Sequence, residues 1–349
     1  MKKAKHNLFP LAAVTLWLAA LLFTDTGCLA QANARRSLLA LSKTDHMLAI
    51  VDPATLKVVA RVPVGVDPHE VIASADGKTA YVSIYGGGSF HELNVIDLVA
   101  QKALPSVDTR PLFGPHGLFF TNGKVWFSAE GSKSVGSYDP ATGKLDWSMG
   151  TGQERTHMIW VTPDAKTIYT TNISSGTVSI LSDTLIQPGR TAPPDAKPHE
   201  EWRQTIIPVG RGSEGFDVSP DGKQLWTAAS EDGALFIIDL STKKLAARID
   251  AHVNGANRLK FTPDGKQVFI ASLSTGDLII FDAASQKEIK RLKLGHGAAG
   301  ILMDPIGARA FVACSADNYI AVVDLKTLAV TSHFDVGGVP DGMAWAVEP

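Results

Sequence analysis

The sequence predicts an all-β fold, a seven-bladed β-propeller of four-stranded antiparallel blades. Three observations carry this. A unit of roughly forty residues recurs along the chain. Each copy alternates short apolar and polar runs between tight turns, and no long amphipathic helical period interrupts the series. A single four-stranded meander cannot cover both of its faces, so the copies must stack on one another around a ring.

Residues 257–295 form the cleanest copy. Strands are expected near 259–261, 268–271, 278–281 and 289–294. In the first turn, Thr262-Pro-Asp-Gly265, the proline presets one backbone dihedral and Asp-Gly accepts left-handed geometry, so a hairpin should close there. Further hairpins are expected at 274–276 and 283–286.

At the start of the chain, Lys2, Lys3 and Lys5 precede an apolar run over 8–23, and Ala30-Gln-Ala32 supplies the small residues that a signal peptidase reads. Residues 1–32 therefore read as a secretory signal cleaved after Ala32, and the product as periplasmic or secreted. A lipidated Cys28 is the competing reading, and Asp25 stands where such a signal carries an apolar residue. The apolar run is short for a membrane span and nothing later replaces it, so no span is expected after cleavage. Cys314 would then be the sole cysteine, and packing rather than a disulfide must hold the fold.

Residues 33–349 read as one domain. Full units begin near Asp67, Gly114, Arg155, Ser213, Gly255 and Gly297, which makes six. A seventh is split: 37–65 supplies three strands and 340–346 the missing one, so that both ends share a blade and close the ring. The rhythm breaks once, at 182–204, a stretch rich in proline and charge where other units have a short turn. An irregular surface loop is expected there, either a tolerated insertion or a docking arm with Trp202 as its contact residue.

The TPDGK and SPDGK turns, the run IYTTN at 168–172, and endings such as RVPVG and TIIPVG resemble the YVTN-repeat β-propellers, including the YncE-like exported proteins of bacteria. The resemblance covers essentially the whole mature chain. It implies a scaffold more than a reaction, since related seven-bladed propellers serve as lactonases or as heme-binding domains.

Several chemistries are excluded. The net charge is −2 and no Lys/Arg run follows the N-terminus, so nucleic acid is not an expected partner. There is no Cys-x-x-Cys-His for covalent heme attachment, no Gly-x-Ser-x-Gly elbow and no Walker-type loop, and glycines 86–88 read as a flexible turn; a non-covalent heme on a channel histidine stays open by analogy of fold alone.

Aligning the units back from their Pro-Asp-Gly turns places one residue per blade at the channel mouth: His69, His116, His157, Glu214, Asn257, Ala299 and Asp341. The register of His116 requires a one-residue deletion in its turn, 121–123. Three readings of the histidines stand side by side. They cap the preceding loops, or they line a site for a polar organic ligand, or His69, His116, His157 and Glu214 hold a divalent metal that activates water for ester or lactone hydrolysis. Arg155, Arg211 and Arg258 at blade junctions either orient a carboxylate or phosphate or are solvated rim charges. His46, Glu92, Glu130 and Asp232 occupy second-to-third-strand turns on the same face. The functional expectation is an exported, monomeric binding or scaffold propeller recognising a small molecule, an envelope component or a protein at the channel mouth. The alternative is a metal-assisted lactonase or esterase.

Overall fold

Seven sheets of four antiparallel strands follow one another along the chain. The computed structural model describes Met1 and residues 35–348; the signal-peptide reading of 1–32, its cleavage site and the Cys28 alternative lie outside the described residues. Blades 1 to 6 span 68–108, 115–150, 156–208, 213–250, 256–293 and 298–334. Blade 7 has strand order Pro340–Glu348, Arg35–Ser42, Met47–Asp52, Lys57–Pro63. The closing strand pairs from Arg35↔Glu348 through Ala40↔Met343, so both chain ends complete one sheet, as the repeat count requires.

The turn chemistry appears as expected. In blade 5, Thr262 Oγ1 donates to Asp264 Oδ1 (2.7 Å) and accepts from the Gln267 amide (3.1 Å), Asp264 accepts from the Lys266 amide (3.1 Å), and Gly265 takes φ +69°. The same hydroxyl–aspartate arrangement recurs at Ser74/Asp76, Thr162/Asp164 and Ser219/Asp221. Blade 6 departs from it. Asp304 stands at the hydroxyl position, fully buried, and accepts from Arg36 of the closing strand at 3.1 Å.

Burial follows the radial order of strands. In blade 5 the second and third strands, Gln267–Ser272 and Asp277–Asp282, are buried along nearly their whole length, whereas the outer strand Lys287–Lys293 alternates. Middle strands are covered by neighbours on both faces and therefore read as continuous apolar runs. One cluster joins Trp226, Leu235 and Ile237 of blade 4 to Leu259, Val268, Ile270 and Ile279 of blade 5. Each such side chain contributes about 1.5–3 kcal/mol on burial.

The reading of 182–204 as an irregular loop is corrected. The third and fourth strands of blade 3 run Thr177–Ile186 and His199–Pro208 and stay paired to Ile186↔His199, so the irregular part shrinks to 187–198. Thr184, Leu185, Ile186 and Trp202 suit a ladder, and two facing strands can continue beyond the blade without a third. Trp202 packs on Trp147 of blade 2 (ring centroids 4.7 Å), and Trp147 on Trp126 (5.5 Å). The side chain expected to carry docking instead ties two blades together.

A register slip marks every innermost strand. Pairing with the next strand jumps between Pro68 and Val71, Pro115 and Leu118, Thr156 and Ile159, Ser213 and Phe216, Ala256 and Arg258, and Ala298 and Ile301. In blade 7 the partner strand slips between Ala40 and Ser42, opposite Met343 and Pro340. Such bulges re-aim side chains away from the ladder. No helix among the described residues is long and apolar enough to cross a membrane.

Candidate functional site

Each bulge frees the residue that the sequence register placed at the channel mouth. His69, His116, His157, Glu214, Asn257, Ala299 and Asp341 all line one cavity of about 290 Å³, together with Arg155 and Arg258. The next position in each blade reads Glu70, Gly117, Met158, Gly215, Arg258, Gly300 and Gly342. Four of the seven are glycine, and at these the inner strand of the next blade comes close: a Cβ on Gly215 would lie 2.5 Å from the Asn257 carbonyl oxygen, and one on Gly117 2.6 Å from that of His157. Hydroxyls on the second strand satisfy the bulged backbone. Ser83 accepts from the Glu70 amide (3.0 Å), Ser128 from that of Gly117 (2.9 Å), and Thr171 donates to the Glu214 carbonyl (2.6 Å).

An alternating chain of charges fills the mouth. His157 is nearly fully buried between Glu130 (Nδ1–Oε2 2.9 Å) and Glu214 (Nε2–Oε1 3.2 Å). Burial alone would lower its pKa, but the bonds to the two carboxylates outweigh it and raise it above the usual value; with a carboxylate oxygen against each ring nitrogen, the charged ring is the form that can donate on both sides. Glu214 is correspondingly depressed to about 2: burial pulls upward, and the His157 bond and charge, then Arg258, outweigh it. Glu214 Oε1 also accepts from Asn257 Nδ2 (2.7 Å) and Arg258 Nη1 (3.0 Å). Arg258 Nη2 then reaches Glu70 on the opposite side of the ring. With 6% of its surface exposed, Arg258 is not the solvated rim charge that a junction residue suggests. One residue into the channel, this blade 5–blade 1 pair spans the bore.

The other two imidazoles continue outward. The His116 ring lies 3.7 Å from that of His157, tilted by 34°. Burial, then the charges of His157 and His69, keep its pKa well below the usual range. His116 Nε2 and His69 Nδ1 share a hydrogen bond of 2.9 Å, while His116 Nδ1 is buried without a partner. His69 Nε2 meets both Lys43 Nζ (2.8 Å) and Asp67 Oδ1 (3.0 Å). The first needs a lone pair and the second an N–H, so one neutral tautomer cannot serve both. Lys43 also sits 3.5 Å from Asp67 and from Asp341.

Of the remaining expected residues, Glu130 joins the network, buried, with Arg155 Nε 2.5 Å from its second oxygen. His46, Glu92, Arg211 and Asp232 do not line the cavity. Arg211 pairs with Glu231 at 3.5 Å and Asp232 with Arg248 at 3.1 Å. Three participants were missed: Lys43, Tyr85, whose ring stands edge-on to His69 and His116 (4.8 and 5.2 Å), and Glu70. Glu70 had a signal, being one of two charged residues in a column otherwise made of glycine and Met158. Lys43 and Tyr85 belong to a second column, the residue after each blade's second strand, which reads Tyr85, Glu130, Ile173, Ser230, Leu273, Ser315 and Lys43.

The metal set read from the sequence, His69, His116, His157 and Glu214, is drawn here into the hydrogen-bond chain. Among the described residues no group of three or more His, Cys, Asp or Glu side chains is arranged to hold a metal ion. His157 has no lone pair to offer while both nitrogens donate to carboxylates, and Glu214 is engaged by three donors.

The family described as the cytochrome D1 heme domain matches residues 113–308, more than half of the chain. The chain belongs to the cytochrome D1 heme domain family. The propeller that the YVTN-repeat resemblance implied is present; the matching family is the cytochrome D1 domain. No curated protein matches the sequence. Among solved structures, a functionally unknown protein from Desulfotomaculum acetoxidans shares 14% identity at a TM-score of 0.70, over 89% of this chain and 98% of that one. A putative 6-phosphogluconolactonase from Bacteroides fragilis shares 16% at 0.69, over 90% and 98%. Dihydro-heme d1 dehydrogenase NirN, solved in complex with DHE, shares 14% at 0.60, over 88% and 74%. At these identities the likeness is one of fold.

The family name makes heme the cofactor to test against this cytochrome D1-type propeller. A heme iron takes an imidazole nitrogen with a free lone pair. His157 has none, the unpartnered nitrogen of His116 is sealed from the cavity, and His69 carries Lys43 and Asp67 on its outer nitrogen. The histidines present do not fit an axial heme ligand.

Proposed function

We propose that the protein is an exported binding propeller that holds a small polar organic molecule at the channel mouth. The observation that carries this is the cavity itself. All seven blades contribute to its wall, it is crossed on the channel side by the buried Arg258–Glu70 pair, and at about 290 Å³ it lies near the lower end of the range of small-molecule sites, about 300–1,000 Å³. Burying this many charges is costly unless they are mutually paired, and their concentration at the open end of a concave site supports recognition. The export read from the N-terminal residues makes an envelope or extracellular metabolite the natural class of ligand.

The test is a thermal-shift screen of polar metabolites against the wild-type protein and Leu273→Trp, a substitution at a half-exposed residue of the cavity wall. A true ligand at 100 times its Kd stabilises by about 2.7 kcal/mol, a rise of several degrees in Tm, and loses at least tenfold in affinity in the variant. If no compound binds in a way that Leu273→Trp weakens, the reading is wrong.

A further inference from the structure

The groups of the cavity that remain open divide by blade. Arg155 uses Nε on Glu130, which leaves its two Nη groups without a carboxylate partner among the described residues, on a side chain 48% exposed. Glu214 meets His157, Asn257 and Arg258 all through Oε1, leaving Oε2. Asp341 meets Lys43 and His69 only through Oδ2, at 3.5 and 3.8 Å, leaving Oδ1. Opposite them the wall is mainly apolar, with Leu273, Ala299 and Val339 from blades 5 and 6 and the loop entering blade 7, beside Ser315, whose hydroxyl donates to the Pro340 carbonyl, and the Tyr85 ring.

A guanidinium fork, two carboxylate oxygens and an aliphatic wall around one small cavity describe the complement of a zwitterion with an apolar side chain. We propose, resting on the binding reading above, that the ligand class is the free aliphatic α-amino acid. Its carboxylate meets the Arg155 fork, a geometry that guanidinium matches with two parallel bonds. Its ammonium meets the open oxygens of Asp341 and Glu214, and its side chain covers Leu273 and Val339. Size agrees: 290 Å³ holds about ten waters at about 30 Å³ each, close to the non-hydrogen atom count of such a molecule.

Calorimetric titration with L-leucine, isoamylamine (its ammonium half), 4-methylpentanoate (its carboxylate half) and hemin tests this. L-leucine should bind at least tenfold more tightly than either half. Arg155→Gln should weaken L-leucine and 4-methylpentanoate at least tenfold and leave isoamylamine unchanged; Asp341→Asn should weaken L-leucine and isoamylamine and leave the acid unchanged. Arg155→Lys, which keeps the charge without the fork, should fall between wild type and Arg155→Gln, and unchanged melting curves of the free variants separate lost recognition from lost folding. Equal losses for all three ligands in both variants would overturn the assignment, as would hemin binding with a Soret shift that His69→Ala removes. If L-leucine fails while screening hits sensitive to Leu273→Trp exist, the amino-acid assignment falls and the binding reading stands.

Discussion

His157 shows how a single buried side chain sets the electrostatics of this mouth. Held between two carboxylates, it is favoured in its charged form by the fold, so its contribution to stability is complete below its ordinary value near 6.5 and fades as pH rises through the raised folded value. Glu214 works in the opposite direction: its contribution is complete above its ordinary 4.5 and is lost as pH falls toward about 2. His157→Gln should therefore destabilise the protein most between pH 5 and 6, by about 3–5 kcal/mol, the scale for breaking a buried pair. The gap to wild type should narrow by pH 9, read as Tm against pH in both proteins; a gap independent of pH would show that His157 is neutral throughout. The histidine itself was legible in the sequence because it falls in a column set by the repeat. Its partner Glu130 was legible only as a turn residue on the same face, since nothing in one sequence tells whether a turn side chain folds inward.

The element that builds the site is the bulge at the head of each inner strand, and in blades 2, 4, 6 and 7 glycine gives it room. Strand positions, turns and the split blade could be read from alternation and from Pro-Asp-Gly spacing, because those follow from local chemistry. The bulge could not, since it is a property of pairing, yet its imprint was present as the column containing Gly117, Gly215, Gly300 and Gly342. Gly215→Ala should press its methyl into the Asn257 carbonyl and destabilise by about 1–3 kcal/mol, as overpacking does. Gly222→Ala, in an outer turn at φ +71° with open space around it, is the control for backbone strain without crowding. Urea denaturation measures both, and a Gly215→Ala protein as stable as wild type would remove the crowding argument. The paired extension of blade 3 went unread for a related reason: proline and charge mark where a chain leaves its neighbours, but the residues on either side still find each other.

At the scale of the whole molecule, the ring depends on the strand Arg35–Ser42, far in sequence from the strand that it joins. Arg35–Ser42 is an interior strand of its blade, paired on both sides, and Arg36 anchors it to buried Asp304 of blade 6. Deleting residues 35–42 opens two ladders at once and strands Asp304 beside Arg309 alone. The truncated protein should lose its single cooperative thermal transition by circular dichroism, and a peptide of residues 35–42 added in excess should restore part of it; a truncated protein melting as sharply as wild type would show that closure is dispensable.

The Arg258–Glu70 pair adds a consequence in time. The two residues are 188 positions apart, so a chain emerging from its N-terminus presents Glu70 long before its counter-charge exists. Until blade 5 has been made, blade 1 can form its sheet but cannot desolvate that carboxylate without a partner. Early blades are thus kept wet at their inner edge until enough of the circle is present to close it. The same contact that plugs the bore in the finished protein delays its drying during synthesis, and it makes an incomplete ring a poor imitation of a complete one.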